Sequence, residues 1–510
     1  MSKDILKLQN GSDVRGIAIE GVEGESVNLT CNDAAKIGKA FVNWFAKKTG
    51  KKAEDLKIGV GRDSRVTGPS LLNALSCGFL AGGAKVTRCE MATTPAMFMS
   101  IVFDQTKFDG SAMITASHLP FNRNGIKFFN ADGGLEHDDI TEILEIAAEI
   151  SDDEADAILD EKLEESNNLP KFDLISVYAD HLCKTIRNAL GGVEKPLEGL
   201  HIVVDSGNGA SGFFVDKILQ PLGANTEGSQ FLEPDGMFPN HIPNPENKEA
   251  MEAIREAVLE NKADLGLIFD TDVDRMSAVL SDGSEVNRDS IIAMIAAILA
   301  PTNPGSTIIT DSVTSDRLTY FLQDVLGLKH LCYMRGYKNV INKQKELNAK
   351  GENSPLAMET SGHGALKENY FLDDGAYLAV KMVIALANAN KEGKKLDSLI
   401  EKLPPLVEEG EYRFKINTEE FKAYGKDVLA EFKKRAEAKG YTIPQSYEGV
   451  RLSFKGEDCQ GWILLRLSLH DPVMPLNIEA ERKGDLEKLK AIAAELTEGF
   501  DKLDRSKLIG

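Results

Sequence analysis

Asp270, Asp272 and Asp274 alternate over five residues, directly after the apolar run Leu265-Gly266-Leu267-Ile268-Phe269. Carboxylates this close raise one another's pKa and repel unless a cation joins them. Hard oxygen donors of this kind suit Mg²⁺, which favours carboxylate and phosphate oxygens. An EF-hand is disfavoured, because the loop follows a strand and lacks the later bidentate glutamate. The second reactive stretch runs from Gly110 to Pro120. The apolar residues Ala112-Met113-Ile114 enter a small polar loop with Ser117 at its tip, and Asn122, Asn124, Gly125 and Lys127 follow closely. A buried strand ending in a rigid loop is how α/β enzymes present a nucleophile at the carboxyl edge of a sheet. A serine at one such edge and a magnesium loop at another point to phosphoryl transfer, with a bound cation lowering the charge barrier to in-line attack.

These loops need elements to hold them. Residues 11–20 suggest a turn feeding a strand, and Asn32 or Asp33 is a plausible N-cap for a helix to about Lys48. Strands at 57–61 and 85–89 alternate with helices at 71–82 and from Thr94, implying parallel βαβ units. Acidic helical sequence fills 138–165. Further strands at 201–204 and 307–309 each end in Asp plus small residues, as does 57–61. Each of the three units also has a second strand ending in a polar loop, at Ser117, at Asp270 and at Glu359-Thr360-Ser361-Gly362-His363. The last hundred residues have short strands and two helices, an α+β pattern. The expected fold class is α/β. Three similar mixed α/β domains with βαβ units (1–168, 169–300, 301–405) and a smaller C-terminal α+β domain (406–510) would surround a central cleft.

Composition narrows the partners. At 510 residues the chain is too long for one core. A net charge of −21 argues against nucleic acid and anionic membranes. Six cysteines show no CxxC pairing, as expected of reduced thiols in a cytoplasmic protein. The N-terminus carries no signal or transit pattern, and no run reaches the ~20 apolar residues of a membrane span.

The ordered motifs resemble those of the α-D-phosphohexomutases, in the phosphoglucomutase/phosphomannomutase branch, over nearly the whole chain. Thr115-Ala116-Ser117-His118-Leu119-Pro120 with Asn124-Gly125-Ile126-Lys127 is similar to the family's phosphoserine loop, with Leu119 where Asn is usual. Phe269 to Arg275 resembles its magnesium loop, and Glu359 to His363 its sugar-binding loop. Gly61 to Arg65, Val204 to Gly209 and Pro234 to Pro239 are also family-like. The resemblance implies that Ser117 carries a phosphoryl group and joins Asp270, Asp272 and Asp274 as a ligand of Mg²⁺. It further implies transfer between the 1- and 6-positions of glucose or mannose phosphates through a hexose 1,6-bisphosphate, which also serves as activator. Lys127 is expected to give general acid/base help, with a pKa lowered by Arg15 and Arg275. Arg15 would stabilise charge, and His118 and Arg275 complete the catalytic set that the resemblance implies. Glu359, Ser361 and His363 would hold the sugar. The expected partners are small sugar phosphates, for a monomer or homodimer.

Two regions depart from the family pattern. The family's phosphate grip, Arg-Pro-Ser-Gly-Thr-Glu-Pro, reads Arg466-Leu467-Ser468-Leu469-His470-Asp471-Pro472 here. Arg466, Ser468 and His470 are the expected phosphate contacts, and a later Arg is missing. In the third domain, Val313 stands where many members have Lys. Gly336-Tyr337-Lys338 resembles the loop of glucose-type mutases, and Lys338 with Arg335 would supply the missing charge. Three other readings stay open: the same chemistry on a phosphopentose or amino sugar phosphate, a non-mutase phosphosugar-binding protein, and a magnesium-dependent phosphatase.

Overall fold

The computed structural model describes residues 4–468 and 471–509. The chain folds as two compact units, Met1–Asn287 with Ser361–Ser398, and Arg288–Thr360 with Leu399–Gly510.

The first unit contains a seven-stranded mixed sheet. Lys57–Arg62 pairs in parallel with both Lys85–Met91 and Gly110–Ile114. Gly110–Ile114 then pairs antiparallel with Arg123–Asn130, which pairs antiparallel with Asp13–Ile17. The core is built on the helix Cys31–Thr49, whose Phe41 ring stacks on Phe128 with centroids 4.4 Å apart. Thr30, not Asn32 or Asp33, is the N-cap. Its hydroxyl accepts the Asp33 N–H and the Asp33 carboxylate accepts the Thr30 N–H, so the expected cap is the third residue of a capping box. The acidic run at 138–165 is two helices, His137–Ala148 and Asp152–Asn167, because Ser151 caps the second.

A second sheet in this unit repeats the plan. Ile202–Asp205 runs parallel to Leu265–Phe269, which pairs antiparallel with Met276–Leu280. Every residue of Leu265–Phe269 is buried, as suits a strand covered on both faces. The reactive loops at Ser117 and Asp270 thus occupy the same place in two sheets: each joins a buried parallel strand to its antiparallel neighbour. The unit also holds the hairpin Gly364–Leu366 with Leu372–Asp373, and the helix Gly375–Lys391. Asp374 caps that helix and accepts the Tyr178 hydroxyl at 2.6 Å.

In the second unit Thr307–Thr310 lies between Lys329–Cys332 and Leu356–Met358, all parallel. The C-terminal stretch forms an antiparallel sheet of Val450–Lys455, Gln460–Leu465, Val473–Ala480 and Glu408–Ile416, edged by Leu503–Asp504. The helices Phe421–Ala438 and Asp485–Leu496 cover its core. Val313 packs with Trp462 and Leu464 in a small apolar cluster. Arg451 lies over the Trp462 ring at 4.1 Å and donates to the carbonyls of Ser312 and Thr314 and to Asp316.

Glu479 is buried in this unit near Asp289, Arg317, Arg451 and Glu409. Burial, then the Asp289 charge, push its carboxyl up to about 8 against the pull of the two arginines. The folded state therefore keeps a proton that the unfolded chain releases near pH 4, and this stabilisation fades as pH rises toward 8. Glu479→Gln mimics the protonated form. It is expected to match wild type near pH 5 and to be more stable at pH 8, by about 1–3 kcal/mol. Melting temperatures of both proteins across pH 5–8 check this; a constant gap would exclude it.

Candidate active site

The two loops of the first unit meet. The Ser117 hydroxyl donates to Asp270 Oδ2 at 2.8 Å and lies 3.3 Å from His118 Nδ1. Ser117 is buried and has φ +50°, the left-handed region that costs a non-glycine residue about 1–2 kcal/mol. Its own N–H is tied to Thr115 Oγ1 at 2.9 Å. On the strand Asp13–Ile17, Arg15 donates to the Thr115 carbonyl and to Asp13.

All three aspartates are buried, and one oxygen from each lies within 4.8 Å of the others. Val273 stands between Asp272 and Asp274 at φ +68°, an outlier for a β-branched residue. Its carbonyl accepts the Gly375 N–H, and a Cβ on Gly375 would come within 2.6 Å of the Arg275 carbonyl. The loop is therefore pressed into shape from outside. Asp272 Oδ2 accepts the Thr94 hydroxyl and Lys127 Nζ, and Asp274 Oδ2 also accepts Lys127. Asp272 Oδ1 and Asp274 Oδ1 are buried with no hydrogen-bond donor. Burial and the two neighbouring carboxylates hold the Asp270 carboxyl well above its ordinary range. Burial also opposes ionisation of Asp274, but Lys127, His363 and Arg275 together outweigh it and keep that carboxylate well below the ordinary range.

Lys127 corrects an expectation. Burial does pull its ammonium down, but Asp272 and Asp274 outweigh burial, and its pKa lies well above the ordinary value rather than below it. It reaches the aspartates because its position on Arg123–Asn130 faces Met113 across the sheet. His118 is held well below its ordinary pKa, first by the Arg275 charge and then by burial, so its imidazole is neutral. Arg275 Nε donates to His363 Nε2 at 2.9 Å, and His363 Nδ1 lies 2.5 Å from Asp373 Oδ2. That pairing gives His363 the Nδ1–H tautomer. Ser361 is buried in the same unit. Sequence reasoning missed Thr94 and Asp373; the Thr93-Thr94-Pro95 helix start and the Asp373-Asp374-Gly375 turn were the available signals.

The second unit holds the other predicted residues. Buried Glu359 accepts the Gly336 N–H at 2.6 Å, with Gly336 at φ +112°. The Arg335 N–H donates to Glu448 at 2.9 Å, and Arg335 Nε lies 3.9 Å from Asp311. Lys338 is half-buried in the first turn of Tyr337–Ala349. Arg466 is buried, with Nη1 3.5 Å from Glu448. Ser468 Oγ accepts the Asp471 N–H. His470 lies outside the described residues. Glu448 was not anticipated, although it faces Arg466 and also accepts the Ser312 hydroxyl at 2.7 Å.

Comparisons with known proteins bear on this arrangement. Residues 6–154, 176–283 and 287–407 match phosphoglucomutase/phosphomannomutase alpha/beta/alpha domains I, II and III respectively. The chain is 31% identical over 477 residues to a phosphoglucomutase/phosphomannomutase of Thermococcus kodakarensis, covering 93% of this chain and 95% of that one. The chain belongs to this family. A phosphoglucomutase of Neisseria gonorrhoeae is 28% identical over 492 residues, 96% of each chain. A crystal structure of a family protein from Burkholderia thailandensis shares the fold, with TM-score 0.73 at 24% identity over 98% and 99% of the two chains.

The buried carboxylates with donorless oxygens fit a divalent cation, whose place a lysine ammonium partly takes. Removing that competitor frees both Asp272 and Asp274. Lys127→Met is expected to bind Mn²⁺ or Mg²⁺ about 10-fold or more tightly than wild type. Calorimetric titration reads this directly, and weaker binding would contradict the competition.

Proposed function

We propose that this chain is a phosphosugar mutase, an intramolecular phosphotransferase acting on glucose and mannose phosphates. The single observation that carries the reading is the Ser117 hydroxyl at 2.8 Å from Asp270 within a buried three-aspartate loop. The names of the relatives support the substrate class. By this reading Ser117 carries the phosphoryl group in the resting enzyme. A sugar hydroxyl attacks phosphorus, the P–O bond to Ser117 Oγ breaks, and a 1,6-bisphosphate forms. The bisphosphate turns over and returns its other phosphoryl group to Ser117, and it serves as activator when added.

Asp270, Asp272 and Asp274, with the oxygen of Ser117, would hold Mg²⁺. The ion supplies charge neutralisation at the transferring phosphoryl group. Neutral His118, 3.3 Å from Ser117 Oγ, can accept a proton there. Lys127, Arg15 and Arg275 offset the carboxylates and the phosphoryl oxygens. Glu359, Ser361 and His363 are the proposed sugar contacts. Arg466, Ser468 and His470, with Arg335 and Lys338, are the proposed contacts of the non-transferring phosphate. The reading includes four domains, at 1–168, 169–300, 301–405 and 406–510, around one cleft. It also includes a cytoplasmic setting, supported by six cysteines without a disulfide. Among the described residues no helix is long and apolar enough to cross a membrane.

Mutase rates on glucose, mannose, ribose and glucosamine phosphates, with the same bisphosphate activator, test the reading. Wild type is expected to prefer the two hexoses, and Ser117→Ala to lose at least about 10³-fold. Arg466→Ala is expected to raise KM by about 10-fold or more. Preference for the ribose or amino sugar phosphate would shift the substrate class. Release of inorganic phosphate at the turnover rate would replace the mutase with a phosphatase.

A further inference from the structure

We propose that Arg65 is a positioning residue that sets the backbone of the Ser117 loop for phosphoryl transfer. The inference rests on Ser117 being the phosphoryl carrier. Arg65 is only 1% exposed, and its guanidinium is surrounded by carbonyls of one loop. Nη2 donates to the carbonyls of Ser117 at 2.5 Å and Leu119 at 2.6 Å. Nη1 donates to those of Pro120 at 2.8 Å and Arg123 at 2.9 Å. The loop from the nucleophile to the start of the strand Arg123–Asn130 is therefore wrapped around one side chain.

Ser117 needs such a hold. It adopts φ +50° without being glycine, and a residue in that region persists only when its surroundings over-determine it. Its carbonyl is fixed by Arg65, its N–H by Thr115 and its hydroxyl by Asp270. Of these, only Arg65 also grips the residues that follow. A guanidinium suits the task because its rigid fork presents several N–H groups in one plane, which the point charge of a lysine cannot do.

Arg65 is itself locked in place. Its N–H donates to Asp63 Oδ1 at 2.9 Å, and Nε lies 3.4 Å from Asp63 Oδ2. The Phe238 ring lies 5.2 Å from the guanidinium carbon. Beside it, Gly236 approaches so closely that a Cβ would come within 2.3 Å of the Val66 nitrogen. Two stretches with no assigned role, Gly61 to Arg65 and Pro234 to Pro239, therefore meet at this guanidinium. Their shared task is to brace the nucleophile loop.

The test follows phosphate on Ser117 by intact mass in a single turnover. Full-length wild type, R65K and F238A, first freed of phosphate with excess glucose 1-phosphate, are mixed with glucose 1,6-bisphosphate and Mg²⁺. R65K is expected to reach the wild-type amplitude at a rate about 10- to 100-fold lower, with KM for glucose 1-phosphate within about 3-fold of wild type. F238A keeps the guanidinium and loses only its ring contact, so a slowing of roughly 2- to 5-fold at full amplitude is expected. It decides the question if R65K does not fold. Loss of fold alone gives reduced amplitude at the wild-type rate. That result, or wild-type rate and amplitude in every variant that folds, overturns the proposal. Absence of phosphate on wild-type Ser117 overturns the carrier reading as well, and the wild-type arm alone reveals it.

Discussion

Burial of three carboxylates around one ammonium is the constraint on which the first unit depends. Asp270, Asp272 and Asp274 are each at most 1% exposed, where an uncompensated charge is expensive. Lys127 supplies one positive charge to two of them, and Asp270 is left favouring its protonated form. The arrangement is thus short of positive charge by construction. A divalent cation relieves that shortage, which is why the cluster reads as a binding site and not as a structural ion pair. That shortage alone would favour a charged His118; the imidazole is neutral because the Arg275 charge, and after it burial, outweigh the pull of Asp274, and Arg275 is itself drawn in by Asp270 and His363.

The backbone around this charge cluster is strained at two points, and each is held from outside its loop. Ser117 is held by Arg65, Thr115 and Arg15; Val273 is held by the close approach of Gly375. Both strained residues sit in connections between a parallel strand and its antiparallel neighbour. Such a connection is short and fixed at both ends, so strain there is transmitted to side-chain position and not lost to loop motion. Repeating the plan in two sheets brings Ser117 and an acidic loop to one place without either being part of a flexible segment.

Much of this was legible in the sequence, and what was not has a common cause. The loops of Ser117, Asp270 and Glu359 announce themselves because an apolar strand run gives way abruptly to small polar residues. The acidic loop that could hold a metal ion was legible from charge alone. Thr94 and Glu448 were not, since they act on Asp272 and Ser312, far away in the chain; Asp373 acts on nearby His363, but its own neighbourhood looks like an ordinary turn. The cap of Cys31–Thr49 was misplaced for a local reason: in a capping box both Thr30 and Asp33 carry cap-type side chains, and only geometry says which comes first. The pKa of Lys127 was misjudged because the sequence shows which cations are near but not that two carboxylates lie nearer still.

The second unit sets its buried arginines against carboxylates and builds no large positive field. Arg335 and Arg466 bring two positive charges, but Glu448 lies against Arg466 and Asp311 against Arg335. Burial pushes the Asp311 carboxyl up to about 7, so near neutral pH it is only partly charged. Glu359 adds a further buried carboxylate. Summed over these groups, the cluster is close to neutral. A phosphate would then be selected by the direction of the guanidinium and hydroxyl donors more than by net attraction. Such a site makes few demands on total charge and strict demands on geometry.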